Sequence, residues 1–339
     1  MFEHLARGLG ALILGASISF AAAAQGPAKS APVPASPPEW NNPPPSWEAA
    51  SEIPQYASVP GRETNRLIQG AGREWRELRN GPLTQYGGWL VVLVPVAIML
   101  FYFIKGPIRL RGSPTGRLIE RFNLVERVAH WTMAASFVVL ALTGIVILFG
   151  KYVILPWLGY TGFSWLVVAS KTAHNFVGPL FIFSLAISFL IFAKDNLVKA
   201  IDLKWLIHFG GMFGKREIAS GRFNGGEKAW FWGGLVFLGA FVSVTGLILD
   251  FPNWNLKREA MQYASVIHVI AAILFISAAF GHIYIGTIGM EGAYRAMHDG
   301  YVDEEWAREH HALWYEEVKQ GKRPEKIIER RPQPAPGDD

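Results

Sequence analysis

The sequence predicts an all-α membrane protein, in which four helices form a transmembrane bundle and one extra N-terminal helix crosses the membrane before them. Hydrophobic residues make up 51% of the 339 residues, and they gather in five long apolar runs. Each run is close to the roughly 20 residues that a helix needs to cross a bilayer. Charged residues crowd into the segments between the runs. Several membrane spans therefore explain the composition better than two soluble domains.

Cysteine is absent from the whole chain. Its absence excludes disulfides, thiolate zinc sites, iron–sulfur clusters and covalent haem attachment through a C-x-x-C-H motif. Any metal that the chain binds must be held by histidine, carboxylate or methionine side chains.

The first 86 residues predict an exported segment. Residues 1–24 contain Arg7, a short apolar core and the small residues Ala21–Ala24, which predict a cleavable signal peptide, with a retained anchor as the alternative. Residues 25–86 begin with a stretch too rich in proline to form a core and continue with one that fits an amphipathic helix. We expect residues 25–86 to form a periplasmic tail.

Hydropathy predicts five spans, which we label A to E. Span A is the extra helix, and spans B to E form one domain over residues 129–287. A basic linker, residues 105–128, joins A to B, and residues 288–339 form a C-terminal tail. The predicted spans are Gly87–Ile104, Ala129–Gly150, Thr172–Ala193, Ala229–Phe251 and Ser265–Thr287.

Positive charge is distributed unevenly over the loops. The A–B loop carries six lysine or arginine residues between Lys105 and Arg127, and the C–D loop carries seven between Lys194 and Lys228. The B–C and D–E loops carry two each. Because cytoplasmic loops are enriched in lysine and arginine, the A–B loop, the C–D loop and the C-terminus are predicted to be cytoplasmic. The N-terminal tail is then periplasmic.

Four histidines lie in the spans at two predicted depths. His268 and His282 are fourteen residues apart in span E, so they share one helix face about 21 Å apart along the axis. His174 opens span C on the outer side, level with His268, and His130 opens span B on the inner side, level with His282. A faint repeat agrees with this pairing, because LALTGIVILF closes span B and VSVTGLILDF closes span D.

Paired neutral imidazoles from facing helices favour axial ligation of b-type haem, so the bundle is predicted to hold two haems. Small residues next to the ligands, Gly178, Ala272 and Gly281, leave room for a flat macrocycle. Hydrogen bonding of each histidine to a neighbouring helix is the structural alternative. A non-redox membrane anchor or transporter, with histidines along a polar pathway, is the alternative function. The loop and tail histidines are predicted to be solvated or interfacial, namely His208, His298, His310 and His311.

Five stretches of the chain form a specific set of motifs. They are ERVAHW (126–131), KTAHNFVG (171–178), RFNGGEKAWFW (222–232), the two-histidine span E and EWAREHHALWYEEV (305–318). Through them, about residues 121–318 resemble the cytochrome b (gamma) subunit of respiratory formate dehydrogenases, a dihaem membrane cytochrome b. Two features depart from that family. Glu227 stands where members carry glutamine, and many members have only four spans.

The resemblance implies an outer haem on His174 and His268 and an inner haem on His130 and His282, the pairing that depth also predicts. It further implies a menaquinone or ubiquinone pocket near His282. We assign four consecutive residues to this pocket, namely Asn224, Gly225, Gly226 and Glu227.

From the residues alone, these four can equally form a helix N-cap, because Asn224 and Glu227 have capping-box spacing. In the quinone interpretation, the glycines let a ring approach the backbone, Asn224 donates a hydrogen bond to a quinone oxygen, and Glu227 delivers protons.

The implied function is electron transfer in the inner membrane of a bacterium. Electrons from a periplasmic enzyme, made of an iron–sulfur beta subunit and a molybdenum or tungsten alpha subunit, would reach quinone at the cytoplasmic face through the two haems. Formate oxidation itself would take place on the partner. The cytochrome b of a hydrogenase or thiosulfate reductase is the alternative within the redox class. The other predicted contact is membrane lipid, and no nucleic-acid partner is predicted.

Overall fold

The computed structural model describes residues 70–211, 218–254 and 256–329. The predicted signal peptide, residues 1–24, and the proline-rich part of the tail lie outside the described residues. Within the described part, five helices are long and apolar enough to cross a membrane, which confirms the predicted all-α membrane fold. These helices are Gly72–Lys105, Leu124–Val153, Leu155–Phe192, Gly225–Asp250 and Arg258–Gly289.

Span A continues directly from the predicted amphipathic stretch. An α-helix over Gly70–Leu78 leads through one π-helical stretch, Arg79–Leu83, into the α-helix Thr84–Lys105. Pro82 lies in the π-helical stretch, where the missing N–H of proline interrupts regular α-helical bonding. The Thr84 hydroxyl donates a 2.6 Å hydrogen bond to the carbonyl oxygen of Arg79 and gives that group a partner.

Span C begins earlier than hydropathy predicts. The helix covers Leu155–Phe192, whereas the predicted span starts at Thr172. The helical path is interrupted at Gly159, which has φ 66° and ψ 175°. Only glycine adopts this conformation at little cost, so Gly159 allows the segment before Tyr160 to bend away from the helix that follows.

Span D also contains a π-helical stretch, which is longer than the one in span A. The chain begins as an α-helix at Gly225–Ala229, continues as a π-helix over Trp230–Leu238 and returns to α-helix over Gly239–Asp250. Span E is α-helical over Arg258–Tyr284 and ends in the π-helical turn Ile285–Gly289. Such π-helical insertions shift the register of side chains along a helix and are frequent at functional sites.

The chain divides into two compact units. Of the described residues, the first contains 70–90, 143–172, 244–254 and 256–270, and the second contains 91–142, 173–211, 218–243 and 271–329. In the first unit, the ring of Phe163 packs so closely against Gly150 that a side chain at Gly150 would meet it at 2.8 Å. Lys171 Nζ also lies 4.0 Å from Asp250 Oδ1 in this unit.

In the second unit, aromatic side chains join spans B, C, D and E. Phe275 of span E has ring centres 4.7 Å from Phe137, 6.3 Å from Phe181 and 5.7 Å from Trp230. Span A joins this group through Tyr284, whose ring centre is 6.3 Å from that of Tyr102. Aromatic pairs at these distances stabilise helix packing beyond their buried area.

The linker and the C-terminal tail form a small folded region of the second unit. Three short strands make an antiparallel sheet in the order β2-β1-β3, with β1 at Arg117–Glu120, β2 at Tyr301–Asp303 and β3 at Ile327–Glu329. Two tail helices follow β2 and bury Trp306 and Trp314 in the same core as Phe122. The short helices here and in the C–D loop are Ala200–Ile207, Phe209–Gly211 (3₁₀), Ala293–His298, Glu304–His310 and Ala312–Lys319.

Candidate functional site

The second unit brings two predicted haem ligands together. His130 lies near the start of the helix Leu124–Val153, and His282 lies near the end of the α-helix Arg258–Tyr284. Their ring centres are 6.2 Å apart, with 54° between the ring planes. A metal–imidazole bond is about 2 Å long, so two imidazoles on opposite sides of one metal ion have ring centres about 6 Å apart. The observed distance of 6.2 Å fits two imidazoles that would hold one metal ion between them.

The surroundings of this pair also fit a haem. The Nδ1 atom of His130 is buried and has no hydrogen-bond partner among the described residues. Beside His282, a side chain added at Gly281 would meet no atom within 4 Å. Over the described part of the chain, no three histidine, aspartate or glutamate side chains come close enough to hold a metal ion. A macrocycle that supplies the remaining ligands matches a site with two imidazoles.

Trp230 supports one ring of the His130 and His282 pair. Its ring stacks on His282 at 4.8 Å with 10° between the planes. Trp230 begins the π-helical stretch of span D, so the change of helical register there sets the position of the ring that supports His282. This contact is not visible in the sequence, because it depends on a π-helix that hydropathy does not detect.

His268 has a different environment in the first unit. The Thr245 hydroxyl lies 3.0 Å from His268 Nδ1, and a side chain at Gly246 would meet the imidazole ring at 3.4 Å. A hydrogen bond at Nδ1 leaves Nε2 as the nitrogen available to a metal. His174 lies half-buried in the helix Leu155–Phe192 and belongs to the second unit. The pairing of His174 with His268 stays a prediction.

The predicted quinone residues form a complete helix cap. Asn224 Oδ1 accepts a 2.9 Å hydrogen bond from the backbone N–H of Glu227, and Glu227 Oε2 accepts a 2.8 Å bond from the backbone N–H of Asn224. This is the capping box that the spacing predicts. The Glu227 side chain is 37% exposed, so one side of the carboxyl remains open to a small molecule.

The two glycines of this motif face protein atoms. A side chain at Gly225 would meet the carbonyl oxygen of Asp202 at 2.7 Å, and one at Gly226 would meet the indole of Trp205 at 2.8 Å. Both contacts come from the helix Ala200–Ile207. The expected approach of a ring to the glycine backbone is thus made by Trp205 in this structure.

A buried arginine is the charged partner of Glu227. Arg121 Nη2 lies 2.9 Å from Glu227 Oε1, and the arginine side chain is 1% exposed. The guanidinium also lies over the ring of Trp306 at 4.9 Å and near Trp314 at 5.7 Å. Burial lowers the pKa of Arg121, and Glu227 opposes this effect. A desolvated guanidinium of this kind depends on its carboxylate.

His311 completes the cluster and corrects a prediction. We predicted solvated or interfacial positions for the tail histidines, but His311 is 1% exposed and His310 is 7% exposed. The prediction was wrong for this pair because the tail folds against the linker. Atom Nδ1 of His311 lies 2.8 Å from the Gly221 carbonyl oxygen, and Nε2 lies 4.0 Å from Glu227 Oε2. Burial lowers the pKa of His311 well below its ordinary value, and nearby Arg121 adds to the effect.

A second arginine binds the neighbouring carboxylates. Arg222 Nη2 donates to Glu126 at 2.8 Å and to the carbonyl oxygen of Arg121 at 2.6 Å, while Nη1 donates to Asp195 at 2.8 Å. Asp195 also accepts a 2.9 Å bond from Arg323 of the tail. These bonds connect the starts of spans B and D to the C-terminal region. We call the four residues Arg121, Arg222, Glu227 and His311 the polar cluster.

Comparison with known proteins gives one matching family and several similar chains. The prokaryotic cytochrome b561 family matches residues 121–300. The chain is 30% identical over 210 residues to the formate dehydrogenase cytochrome b556(fdo) subunit of Escherichia coli (strain K12), which covers 59% of this chain and 93% of the relative. It is 28% identical over 210 residues to the nitrate-inducible formate dehydrogenase cytochrome b556(Fdn) subunit of the same strain, covering 60% of this chain and 93% of the relative. The formate dehydrogenase cytochrome b556 subunit of Haemophilus influenzae is 25% identical over 215 residues, covering 62% of this chain and 87% of the relative.

Five apolar helices and a facing pair of imidazoles define a membrane cytochrome b, and this class holds haem b. The chain belongs to the prokaryotic cytochrome b561 family. The matched residues contain all four predicted haem ligands and the capping motif, whereas His311 lies beyond them.

Proposed function

We propose that this chain carries electrons from a formate-oxidising enzyme outside the membrane, through two b haems, to quinone near the cytoplasmic face. The observation that carries the proposal is the His130 and His282 pair at 6.2 Å, in a chain similar to formate dehydrogenase cytochrome b subunits over most of their length. Bound b haem supplies one-electron transfer. His130 and His282 would hold the inner haem, and His174 and His268 the outer one.

The partners follow from the chemistry that the chain lacks. Cysteine is absent, so this chain cannot supply the thiolates of an iron–sulfur cluster, and we assign formate oxidation to another subunit. The names of the relatives support a formate dehydrogenase complex, which we propose to include an iron–sulfur subunit and a molybdenum or tungsten subunit. Each electron that moves inward works against the membrane potential by about 2.3 kcal/mol per 100 mV. Quinone reduction at the inner face therefore conserves energy.

We place the quinone at the exposed side of Asn224 and Glu227. Trp205 covers the glycine side of the motif, and the Glu227 carboxyl is the exposed titratable group of the cap. The amide of Asn224 can donate to a quinone oxygen while its carbonyl oxygen keeps the cap. Gly225 and Gly226 let the start of the helix lie close to Trp205, so they form the wall of the pocket on the side away from solvent.

The first test uses the purified membrane complex. We expect formate to reduce two b haems and added quinone to reoxidise them. A reduced-minus-oxidised spectrum without a b-type α-band would overturn the haem assignment. A nickel–iron partner in the complex, in place of a molybdenum or tungsten one, would favour the cytochrome b of a hydrogenase.

The second test separates quinone binding from helix capping. Asn224→Ser keeps a good capping oxygen but loses the amide, so we expect haem reduction by formate to stay normal and reoxidation by quinone to slow. Glu227→Gln should slow reoxidation most at high pH, where other proton donors are scarce. Normal reoxidation per haem in both variants would leave the motif with its capping role alone. The exposed His298→Gln is the control.

A further inference from the structure

Glu227 has two neighbours of different chemistry. Arg121 Nη2 lies 2.9 Å from one carboxyl oxygen, Oε1. His311 Nε2 lies 4.0 Å from the other oxygen, Oε2. A permanently charged guanidinium favours the ionised carboxylate. A neutral imidazole nitrogen with a free lone pair can instead accept a hydrogen bond from the protonated acid.

The hydrogen bonds of His311 determine which nitrogen has the lone pair. Nδ1 lies 2.8 Å from the carbonyl oxygen of Gly221. A carbonyl oxygen can only accept, so Nδ1 carries the hydrogen and Nε2 of the neutral ring is the acceptor. Burial holds the pKa of His311 well below 6.5, which keeps the ring neutral near pH 7. The acceptor nitrogen therefore faces the Glu227 carboxyl.

The other charged groups near the Glu227 carboxyl have hydrogen-bond partners of their own. Arg222 lowers the pKa of Arg121 through its charge, but its own hydrogen bonds go to Glu126 and Asp195. His310 adds to the lowered pKa of His311. On its own helix, Glu227 faces Asn224, which keeps the cap in either protonation state through the backbone N–H of Glu227.

We propose that His311 is the positioning residue that holds the protonated form of Glu227, as Arg121 holds the ionised form. The inference rests on the proposed quinone reduction at Glu227. With a partner for each state, the carboxyl can gain and lose a proton while the cap bond from the Glu227 backbone N–H to Asn224 is kept. A shift of about 1 Å in the carboxyl brings Oε2 within hydrogen-bond distance of His311 Nε2.

The proton balance of the step is simple. Quinone takes two electrons from the haem path and two protons to become quinol. One proton leaves the Oε2–H of Glu227 for a quinone oxygen, and the carboxylate then pairs with Arg121. A proton from water at the exposed side of the carboxyl then returns to Glu227, whose O–H again donates to His311 Nε2. The same cycle, repeated with the second electron, delivers the second proton of the quinol.

The test compares two substitutions of His311 in the membrane complex. His311→Asn keeps a donor at the position of Nδ1 and removes the acceptor at Nε2, while His311→Gln places a polar group near Nε2. In His311→Asn we expect quinone-driven haem reoxidation to slow by about three- to tenfold, the equivalent of one lost hydrogen bond, and most strongly at high pH. His311→Gln should recover part of this loss. His298→Asn, on the surface, should match the unaltered chain.

Infrared spectroscopy tests the same contact without any variant. With isotope-labelled glutamate, the unaltered complex should show a carboxylic acid band of a strongly hydrogen-bonded group that is lost on Glu227 ionisation. A band typical of an acid without an acceptor, or overlapping pH profiles for His311→Asn and the unaltered chain, would overturn the role of His311. If quinone fails to reoxidise the unaltered complex, the proposed function fails, and the infrared band still decides the role of His311.

Discussion

The histidine pair and the polar cluster lie in the same compact unit, yet their side chains are satisfied in different ways. Among the described residues, His130 and His282 have no ion-pair partner, and His130 Nδ1 has no hydrogen bond. Arg121 instead has the Glu227 carboxylate at 2.9 Å and two tryptophan rings. The pair is thus arranged for a group that binds from outside, whereas the cluster stabilises the fold with its own charges. Substitutions should therefore remove a cofactor in one region and fold stability in the other.

The largest expected effect is the loss of a whole haem. His130→Ala or His282→Ala should remove the inner haem and leave the outer one, since each removes one of two axial ligands. His174→Ala or His268→Ala should remove the outer haem. Haem per protein and the reduced spectrum measure this result. Loss of the opposite haem, or retention of both, would contradict the assignment.

In the cluster, Glu227→Ala should cost about 3–5 kcal/mol of stability, because it leaves the buried Arg121 charge unpaired. A helix cap alone would cost about 1 kcal/mol, so the size of the loss separates an ion pair from a cap. The double variant Arg121→Met, Glu227→Gln should recover most of the loss, since it removes the buried charge as well. Thermal unfolding of the purified complex measures both variants, together with Asn224→Ala, which removes the capping side chain alone. Equal stability of Glu227→Ala and Asn224→Ala would contradict the comparison.

A smaller effect should appear with pH. The folded state lowers the pKa of His311, so the unfolded chain binds an extra proton below about pH 6.5. The contribution of His311 to the free energy of unfolding is therefore complete above pH 6.5. It falls as the pH drops, by up to about 1.4 kcal/mol per pH unit. His311→Asn should flatten this part of the stability curve. An unchanged acid slope in that variant would show that another group titrates.

The smallest effect concerns the environment of His268. Thr245→Val keeps the shape of the side chain but removes the 3.0 Å contact to Nδ1. Both haems should stay bound, and the outer potential should rise by at most about 40 mV, the equivalent of one hydrogen bond of about 1 kcal/mol for a one-electron transfer. Redox titration measures this change. Thr245→Ser should restore the original potential, and a shift of the inner potential alone would place His268 at the other haem.

The sequence predicts the elements whose signal is local. The five spans follow from runs of apolar residues longer than a bilayer requires, and the cap follows from Asn224 and Glu227 three residues apart. Strand β1, with the sequence RLIE over Arg117–Glu120, is too short and too charged for any periodic signal. The early start of span C at Leu155 was missed because the predicted span was set to one bilayer crossing.

The polar cluster was missed for a different reason. Arg121 and His311 are 190 residues apart (311 minus 121), and no spacing rule relates residues at that distance. Arg121 looks like one more cation in a basic loop, whose charges the positive-inside rule already explains. The available signal was the segment EHHALWY. Its tryptophan and tyrosine side chains indicate a packed segment, and the two histidines lie next to them.

The distance of 190 residues between Arg121 and His311 also sets an order of events during synthesis. At about 5–20 residues per second, the ribosome makes His311 about 10–40 seconds after Arg121. During that interval spans B to E are made, while the guanidinium lacks Trp306, Trp314 and His311. Arg121 therefore remains hydrated at the membrane surface until the tail is made. A chain that stops before residue 300 would expose this incomplete core to proteases, because it lacks both tryptophans and His311.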